Sequence, residues 1–387
     1  MAKLLLILTA LVIAGAQAEL SDFTTSSTRF GFDFFKKAYN PSENAILSPL
    51  SIHSSLSMFY QLAGEKVTPE MQKHLYLPTD KSKAADDLRN WLAAGQDSNK
   101  NADALKTRSK IYHTNAKLKP DVIPLLHGQF GAEVESADFT EAEQVVRSVN
   151  AWVDQATGGL IKEFMDAGDV RDDNDLMLLN VVALSASWRV PFDPTHTEKT
   201  TFHFVNGDHD ADMMYLEGDF PYTLDAENHC YAVELEYSED TDLSMVLILP
   251  TEEHTLEQVV QRLSLDMYIA LDSSLRSTKA TVTIPKFTMR MKLDAKEQLK
   301  EMGLKAMFEK LDLNILARDK SRLGEVKQMS FIKVDEKGTE AVAATEIQAV
   351  GRSGGTQFIA NRPFLYLIRK RSNKNIIFIG HFSVHES

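Results

Sequence analysis

Near the C-terminus the chain reads Gly351, Arg352, Ser353, Gly354, Gly355, inside "EIQAVGRSGGTQFIANRPF". G-x-S-x-G is the spacing of a nucleophile elbow, and it resembles the G-D-S-G-G around a protease serine. Two opposite chemistries fit. Either Ser353 attacks a substrate, or the Arg352-Ser353 bond is itself attacked. An elbow needs a strand leading in and a helix leading out. The residues after Ser353, "GGTQFIANRPFLYLI", read as turn and then strand. The hydrolase order also needs an acid and then a histidine after the serine. The only acid after Ser353 is Glu386, and it comes later than both His381 and His385. In the protease pattern an aspartate precedes the serine; here Arg352 takes its place, and no histidine sits in a catalytic context. Ser353 is therefore not read as a nucleophile.

Other chemistries have less support. His196, His203 and His209 cluster in "HTEKTTFHFVNGDHD", on neither helical spacing nor a compact turn, so they read as exposed strand and turn histidines rather than metal ligands. There is no Walker loop and no dinucleotide fingerprint. The expectation is a protein with no cofactor and no metal, and not an enzyme.

Periodicity identifies the elements that must position the Arg352-Ser353 stretch. The N-terminal half reads mainly helical. In "LSPLSIHSSLSMFYQL" Ser48 is an N-cap and Pro49 the first helical residue, with Ile52, Leu56, Phe59 and Leu62 on apolar spacing. "TPEMQKHLYL", "DDLRNWLAA" and "VVRSVNAWVDQATGG" are further amphipathic helices, the last closed by glycines. From "LMLLNVVALSASW" onward strands dominate: "YAVELEY", "LSMVLILP", "ATVTIPKFTMRM" and "QMSFIKVDEKG", then two C-terminal runs. The helices "TLEQVVQRL" and "AKEQLKEMGLKAMF" interrupt them. Helices first and strands later predict an α+β fold with a large antiparallel or mixed sheet.

Composition bounds the setting. The chain has 387 residues, 43% hydrophobic and 25% charged, enough for a large core. No repeat or Pro/Gly/Ser-rich linker divides it, which favours one large domain. Residues 1–18, "MAKLLLILTALVIAGAQA", carry a basic start, a short apolar run and an A-x-A cleavage signal, so they read as a secretory signal peptide with the mature chain at 19–387. The expected location is extracellular. No stretch is long enough to imply a membrane span. Cys230 is the sole cysteine, in a strand pattern, and reads as a buried structural thiol. Formal charge is −13, or −14 once Lys3 leaves with the signal, which disfavours a nucleic-acid partner. The basic residues of 369–374 lie between two apolar runs and read as a solvated hairpin turn.

Several segments, in this order and spacing, resemble the serpin family from about residue 25 to 384: "ILSPLSIHSSLSM", "LLNVVALSASWRVPFDPTHTE", "FHFVNGDHDADMMYLEGDF", "VELEYSEDTDLSMVLILP", "IPKFTM", "FIKVDEKGTEAVAAT" and "FIANRPFLYLIRKRSNKNIIFIGHF". The resemblance implies a single α+β domain with three β-sheets, eight or nine helices and an exposed reactive loop, here about 337–357. It also implies a monomeric suicide inhibitor. A protease attacks the bait bond and forms its acyl-enzyme, and the cut loop then inserts as a strand into the large sheet.

By that resemblance Arg352-Ser353 is the bait bond. Arg352 is the fifteenth residue from Gly338, and its guanidinium suits the carboxylate of a trypsin-like serine protease's specificity pocket. The hinge is Gly338, Thr339, Glu340, Ala341, Val342, Ala343, Ala344 and Thr345. Alternation sorts Thr339, Ala341, Ala343, Thr345, Ile347 and Ala349 to one face, all small or apolar. Glu340, Val342, Ala344, Glu346, Gln348 and Val350 take the other face, with every charge of the stretch. An insertable strand needs this sorting, because a register slip would bury two carboxylates. Glu336, Lys286 and Trp188 match an anchor at the top of the sheet. Ser48, Ser51 and Asn180 match polar residues where the sheet opens, and Gln328 stands where relatives carry histidine. "ALSA" at 183–186 replaces a more aromatic, lysine-containing stretch. Only five residues separate Arg352 from Phe358, two or three fewer than in inhibitory relatives. That shortness leaves open a non-inhibitory serpin, a substrate or a binding protein.

Overall fold

A computed structural model describes residues 22–96, 104–114, 116, 118–309, 315–316, 321, 323–339 and 355–386. Among them are eight α-helices: α1 (Asp22–Ala38), α2 (Pro49–Leu62), α3 (Thr68–His74), α4 (Lys81–Gln96), α5 (Ala142–Thr157), α6 (Leu256–Arg262), α7 (Leu265–Ser274) and α8 (Lys296–Glu301). The strands are β1 (Ala45–Leu47), β2 (Leu105–Thr114), β3 (Glu133–Ala137), β4 (Leu176–Leu184), β5 (Ala186–Ser187), β6 (Glu198–Phe204), β7 (Gly207–Asp225) and β8 (Cys230–Glu236). They continue with β9 (Leu243–Pro250), β10 (Arg276–Pro285), β11 (Phe287–Asp294), β12 (Leu323–Val334), β13 (Gly338–Thr339), β14 (Thr356–Ile359), β15 (Phe364–Lys370) and β16 (Ile376–Phe382).

Among the described residues the strands form three sheets, and the fold is α+β as the sequence implies. A nine-stranded sheet runs β1-β16-β15-β9-β8-β7-β10-β14, with β6 on β7. Its inner strands β9, β15 and β16 are almost wholly buried, which explains their near-continuous apolar sequences. A five-stranded sheet runs β11-β12-β4-β2-β3 and is mixed: β12 pairs parallel with β4. The third sheet is the two-residue ladder β13-β5.

The five-stranded sheet is covered on both faces. One face joins the main core through Leu176, Leu178, Val182 and Leu184 of β4. The other carries Met177, Leu179, Val181 and Ala183 of β4 with Met329 and Phe331 of β12, packed with Val145, Val149, Trp152 and Val153 of α5. Helix α5 ends at Gly158, whose φ of 64° suits a left-handed cap.

Four local readings of the sequence change. "ATVTIPKFTMRM" is not one strand; it breaks at Lys286 and divides between β10 of the nine-stranded sheet and β11 of the five-stranded one. Within "AKEQLKEMGLKAMF" the α-helix is only α8, with a 3-10 turn after it at Ala306–Phe308. Ser48 does stand at the N-cap of α2 with Pro49 next, but its hydroxyl caps nothing. The 369–374 stretch does form the β15-β16 hairpin, yet Arg369 is fully buried. Its guanidinium meets Glu234 at 3.0 Å and Asp272 at 2.7 Å and donates to Tyr268 Oη at 3.0 Å. A guanidinium is buried only where such partners satisfy it.

Candidate functional site: the hinge anchor and the polar cluster

The β10-β11 break is what places Lys286. Its backbone amide donates to Asp212 O at 2.8 Å, and its Nζ lies 3.0 Å from Glu336 Oε1. Thr197 Oγ1 donates to the same oxygen at 2.8 Å. Burial alone would raise the Glu336 carboxyl; hydrogen bonds from its own backbone amide, Lys286 and Thr197 outweigh it and hold the pKa below the ordinary value. Glu336 thus stays ionised and clamps the turn at the end of β12.

Trp188 holds the same turn from the other side. Its indole N–H donates to Asp335 O at 3.0 Å, and its backbone N–H to Lys337 O at 2.9 Å. Phe192 N–H donates to Glu336 O at 2.8 Å. The indole is buried and stacks on Tyr237, with ring centres 4.5 Å apart. Lys286, Trp188 and Glu336, far apart in sequence, therefore meet around residues 335–337.

The turn reverses the chain. Asp335 and Gly338 exchange backbone hydrogen bonds at 2.8 and 3.2 Å, and β13 then pairs antiparallel with β5, Gly338 opposite Ser187 and Thr339 opposite Ala186. Within the expected reactive loop of about 337–357, Lys337 lies in the turn, Gly338 and Thr339 form β13, and Thr356 and Gln357 belong to β14. Gly338 has φ 144°, and a Cβ there would collide with Ala186 O and lie 2.5 Å from Ser187 Cα. Glu340, Ala341, Val342, Ala343, Ala344, Thr345, Arg352 and Ser353 lie outside the described residues, as does the 1–18 segment.

Below the turn, β4 and β12 meet over α2. Asn180 and Gln328 face each other in the β4-β12 register. Gln328 bonds the backbone of Ser48 twice, accepting from its N–H and donating to its O, each at 2.8 Å. Gln328 Oε1 also accepts from Ser330 Oγ at 3.3 Å. Asn180 Oδ1 accepts from Ser55 Oγ at 2.6 Å and from Ser109 Oγ at 2.8 Å. Ser48 Oγ, Ser51 Oγ and Asn180 Nδ2 are buried and have no hydrogen-bond partner. Such atoms are costly, so this cluster holds unused polar capacity at the β4-β12 seam.

Sequence reasoning missed Ser55, Ser109, Ser330 and Thr197. Ser55 had a signal: it lies seven residues after Ser48 and four after Ser51, on one helical face. Ser54 and Ser57 of the same helix bond back to backbone carbonyls, so hydroxyl content alone does not single it out. Ser109 enters only because β2 places it opposite Asn180.

Lys327 is also missed. It is 5% exposed and lies 3.4–3.6 Å from Glu325, Asp169 and Asp294. Burial disfavours its ammonium, but these carboxylates leave it more firmly protonated than a free lysine. The histidines do not form a metal centre. His203 bonds Asp208 at 2.9 Å, and His209 stacks on His385. Among the described residues no group of three or more His, Cys, Asp or Glu has metal-holding geometry. Cys230 is buried, which pushes its thiol up to about 12 and leaves it inert.

Residues 25–384 match the family described as Serpin (serine protease inhibitor). Antithrombin-III of Mus musculus is 30% identical over 377 residues, covering 93% of this chain and 81% of that protein. A leukocyte elastase inhibitor of Xenopus tropicalis is 29% identical over 381 residues, covering 94% of this chain and 100% of that protein. The solved structure of SRPN18 from Anopheles gambiae superposes with a TM-score of 0.84 at 26% identity, covering 94% of this chain and 98% of that one.

Proposed function

The chain belongs to the serpin family, and from that premise we propose that it is a secreted, monomeric suicide inhibitor of a trypsin-like serine protease, cleaved at Arg352-Ser353. The protease serine adds to the Arg352 carbonyl carbon. The Arg352-Ser353 amide breaks, Ser353 leaves as a protonated amine, and Arg352 remains as an ester on the enzyme. The freed strand then inserts between β4 and β12, carrying the protease before water can deacylate it.

One observation carries this reading: the register already set by β13. Extending its pairing with β5 down β4 puts Thr345 opposite Asn180. Extending the Asp335-Gly338 turn as a hairpin puts Thr345 opposite Gln328. These two residues now face each other, so the two extrapolations agree. Thr345 would then stand over the seam that holds the unpartnered Ser48, Ser51 and Asn180 atoms. The same register sets Glu340 opposite Lys333 and Glu346 opposite Lys327. Ala341, Ala343, Ile347 and Ala349 would face Leu184, Val182, Leu178 and Leu176, all in the main core. A strand slipped by one residue would lose every one of these matches.

The short return segment favours the second reading, a serpin that is cleaved without trapping. Strand β14 is pinned parallel to β10 from Thr356, so only Ser353, Gly354 and Gly355 separate the bond from fixed backbone. Three residues reach about 10 Å. Incubation with trypsin and a denaturing gel separates the two. A covalent complex that disappears in Arg352→Ala is the expected result. Full cleavage with undiminished trypsin activity would sink inhibition, and a higher melting temperature of that cleaved product would still establish insertion.

A further inference from the structure

A cavity of about 220 Å³ opens between the 188–192 segment and strands β7 and β8. Its apolar lining is Trp188, Phe192, Leu216, Phe220 and Leu235, all buried, with half-exposed Val190 and partly buried Pro221. Its charged lining is Arg189, Asp219, Glu234 and Glu236. The volume lies between the ~150 Å³ of a cavity that holds benzene and the ~300 Å³ at which drug-sized sites begin. It therefore fits one aromatic ring, or two fused rings, with a short side chain.

Most of the charged groups are already engaged. Glu234 is held by Arg369 and Ser244. Glu236 is held by Arg189 and by Arg371, at 3.1 Å from the latter. Arg189 also lies 3.8 Å from Glu239, so it offers little to an incoming anion. Asp219 is different: it is exposed and no ion pair or hydrogen bond engages its carboxylate among the described residues. Its cross-strand neighbour Lys279 turns its ammonium to Glu217 instead, at 3.5 Å. The lining thus presents an aromatic floor and one uncommitted carboxylate, with no uncommitted cation.

We infer that this cavity binds a small arylalkylamine, its ring against Trp188, Phe192 and Phe220 and its ammonium at Asp219. A charge-assisted pair at the rim sets the sign of the ligand, and the floor sets its aromatic character. The inference is independent of the inhibitory reading, since a chain that is merely cleaved would keep this cavity. Trp188 forms one wall, so a change in its emission, over the constant background of Trp91 and Trp152, reports occupancy.

The test is titration of the full chain with 2-phenylethylamine, 3-phenylpropionate and 2-phenylethanol, with tryptophan emission and calorimetric heat as readouts. Saturable one-to-one binding is expected, with the amine favoured over the carboxylate by roughly tenfold or more. Asp219→Asn should erase that preference and leave the alcohol unchanged. Leu216→Trp should fill the floor and abolish binding of all three. Equal affinity for amine and carboxylate, a preference that survives Asp219→Asn, or no saturable binding would overturn the proposal. Because Asp219 is exposed, the Asn variant remains informative even where Leu216→Trp does not fold.

Discussion

Gly338 sits where β12 has turned and, with Thr339, has begun to pair with β5. No Cβ fits there: Ala186 O, Ser187 Cα and Trp188 N are backbone atoms that cannot rotate away. Gly338→Ala is therefore expected to push β13 off β5 and lower stability by about 1–3 kcal/mol, the usual scale of such backbone strain. Urea unfolding measures the cost, and an unchanged midpoint would contradict this close approach of Gly338 to β5. Nearby, Glu336 is held by its own backbone amide, Lys286 and Thr197, so the anchor is a several-part contact rather than a lone ion pair. At the seam Gln328 does with one side chain what two groups would otherwise do, satisfying both the N–H and the O of Ser48.

At the level of elements, β4 and β12 are parallel neighbours now, and the proposed insertion needs them to separate. The face that would receive Glu346 is not open to solvent: Leu179 is buried under α5. Helix α5 must therefore yield for the strand to enter. Alternation alone assigns Glu346 to the face away from the core, which suggests exposure; the register instead assigns it to Lys327, an ammonium already flanked by three carboxylates. With three carboxylates already on that ammonium a fourth is unfavourable, so Glu346→Gln should raise the melting-temperature gain of the cleaved form and Glu346→Lys should raise it further. Equal gains in both variants would show that the strand does not reach this register.

Across the whole molecule, two buried imidazoles set the acid side of stability. Burial lowers His53 from the ordinary 6.5 to about 4, against a single hydrogen bond to Leu75 O. Burial does the same to His381, also to about 4. Unfolded histidines take up protons first, so their contribution is complete above the unfolded pKa and is lost as pH falls from about 6.5 toward 4. Within that window each costs about 1.4 kcal/mol per pH unit. Glu336 acts lower: its depressed carboxyl keeps stabilising until pH falls through its own folded value. Urea midpoints measured from about pH 8 down to about pH 4.5 should begin to drop near pH 6.5. A flat profile would show that both imidazoles take up protons in the folded chain as readily as in the unfolded one.

The sequence by itself determined the α+β class, most element positions and the segments that identify the family. These are local or ordered in the chain: a period of 3.6 or 2, a proline after Ser48, glycines closing α5. It also carried the sorting of 339–350 into a small apolar set and a charged set, because alternation is intrinsic to a strand. Tertiary structure decided what crosses between elements. The break at Lys286 arises because two sheets share one run of residues, and nothing in "ATVTIPKFTMRM" marks it beyond a proline. Burial of Arg369 depends on Glu234 and Asp272, which are more than ninety residues away. Ser109 matters through Asn180 on the neighbouring strand, and Lys327 through Asp169, Asp294 and Glu325. A side chain's type states which bonds it can make; which bonds it does make depends on register, and register is set by the whole core.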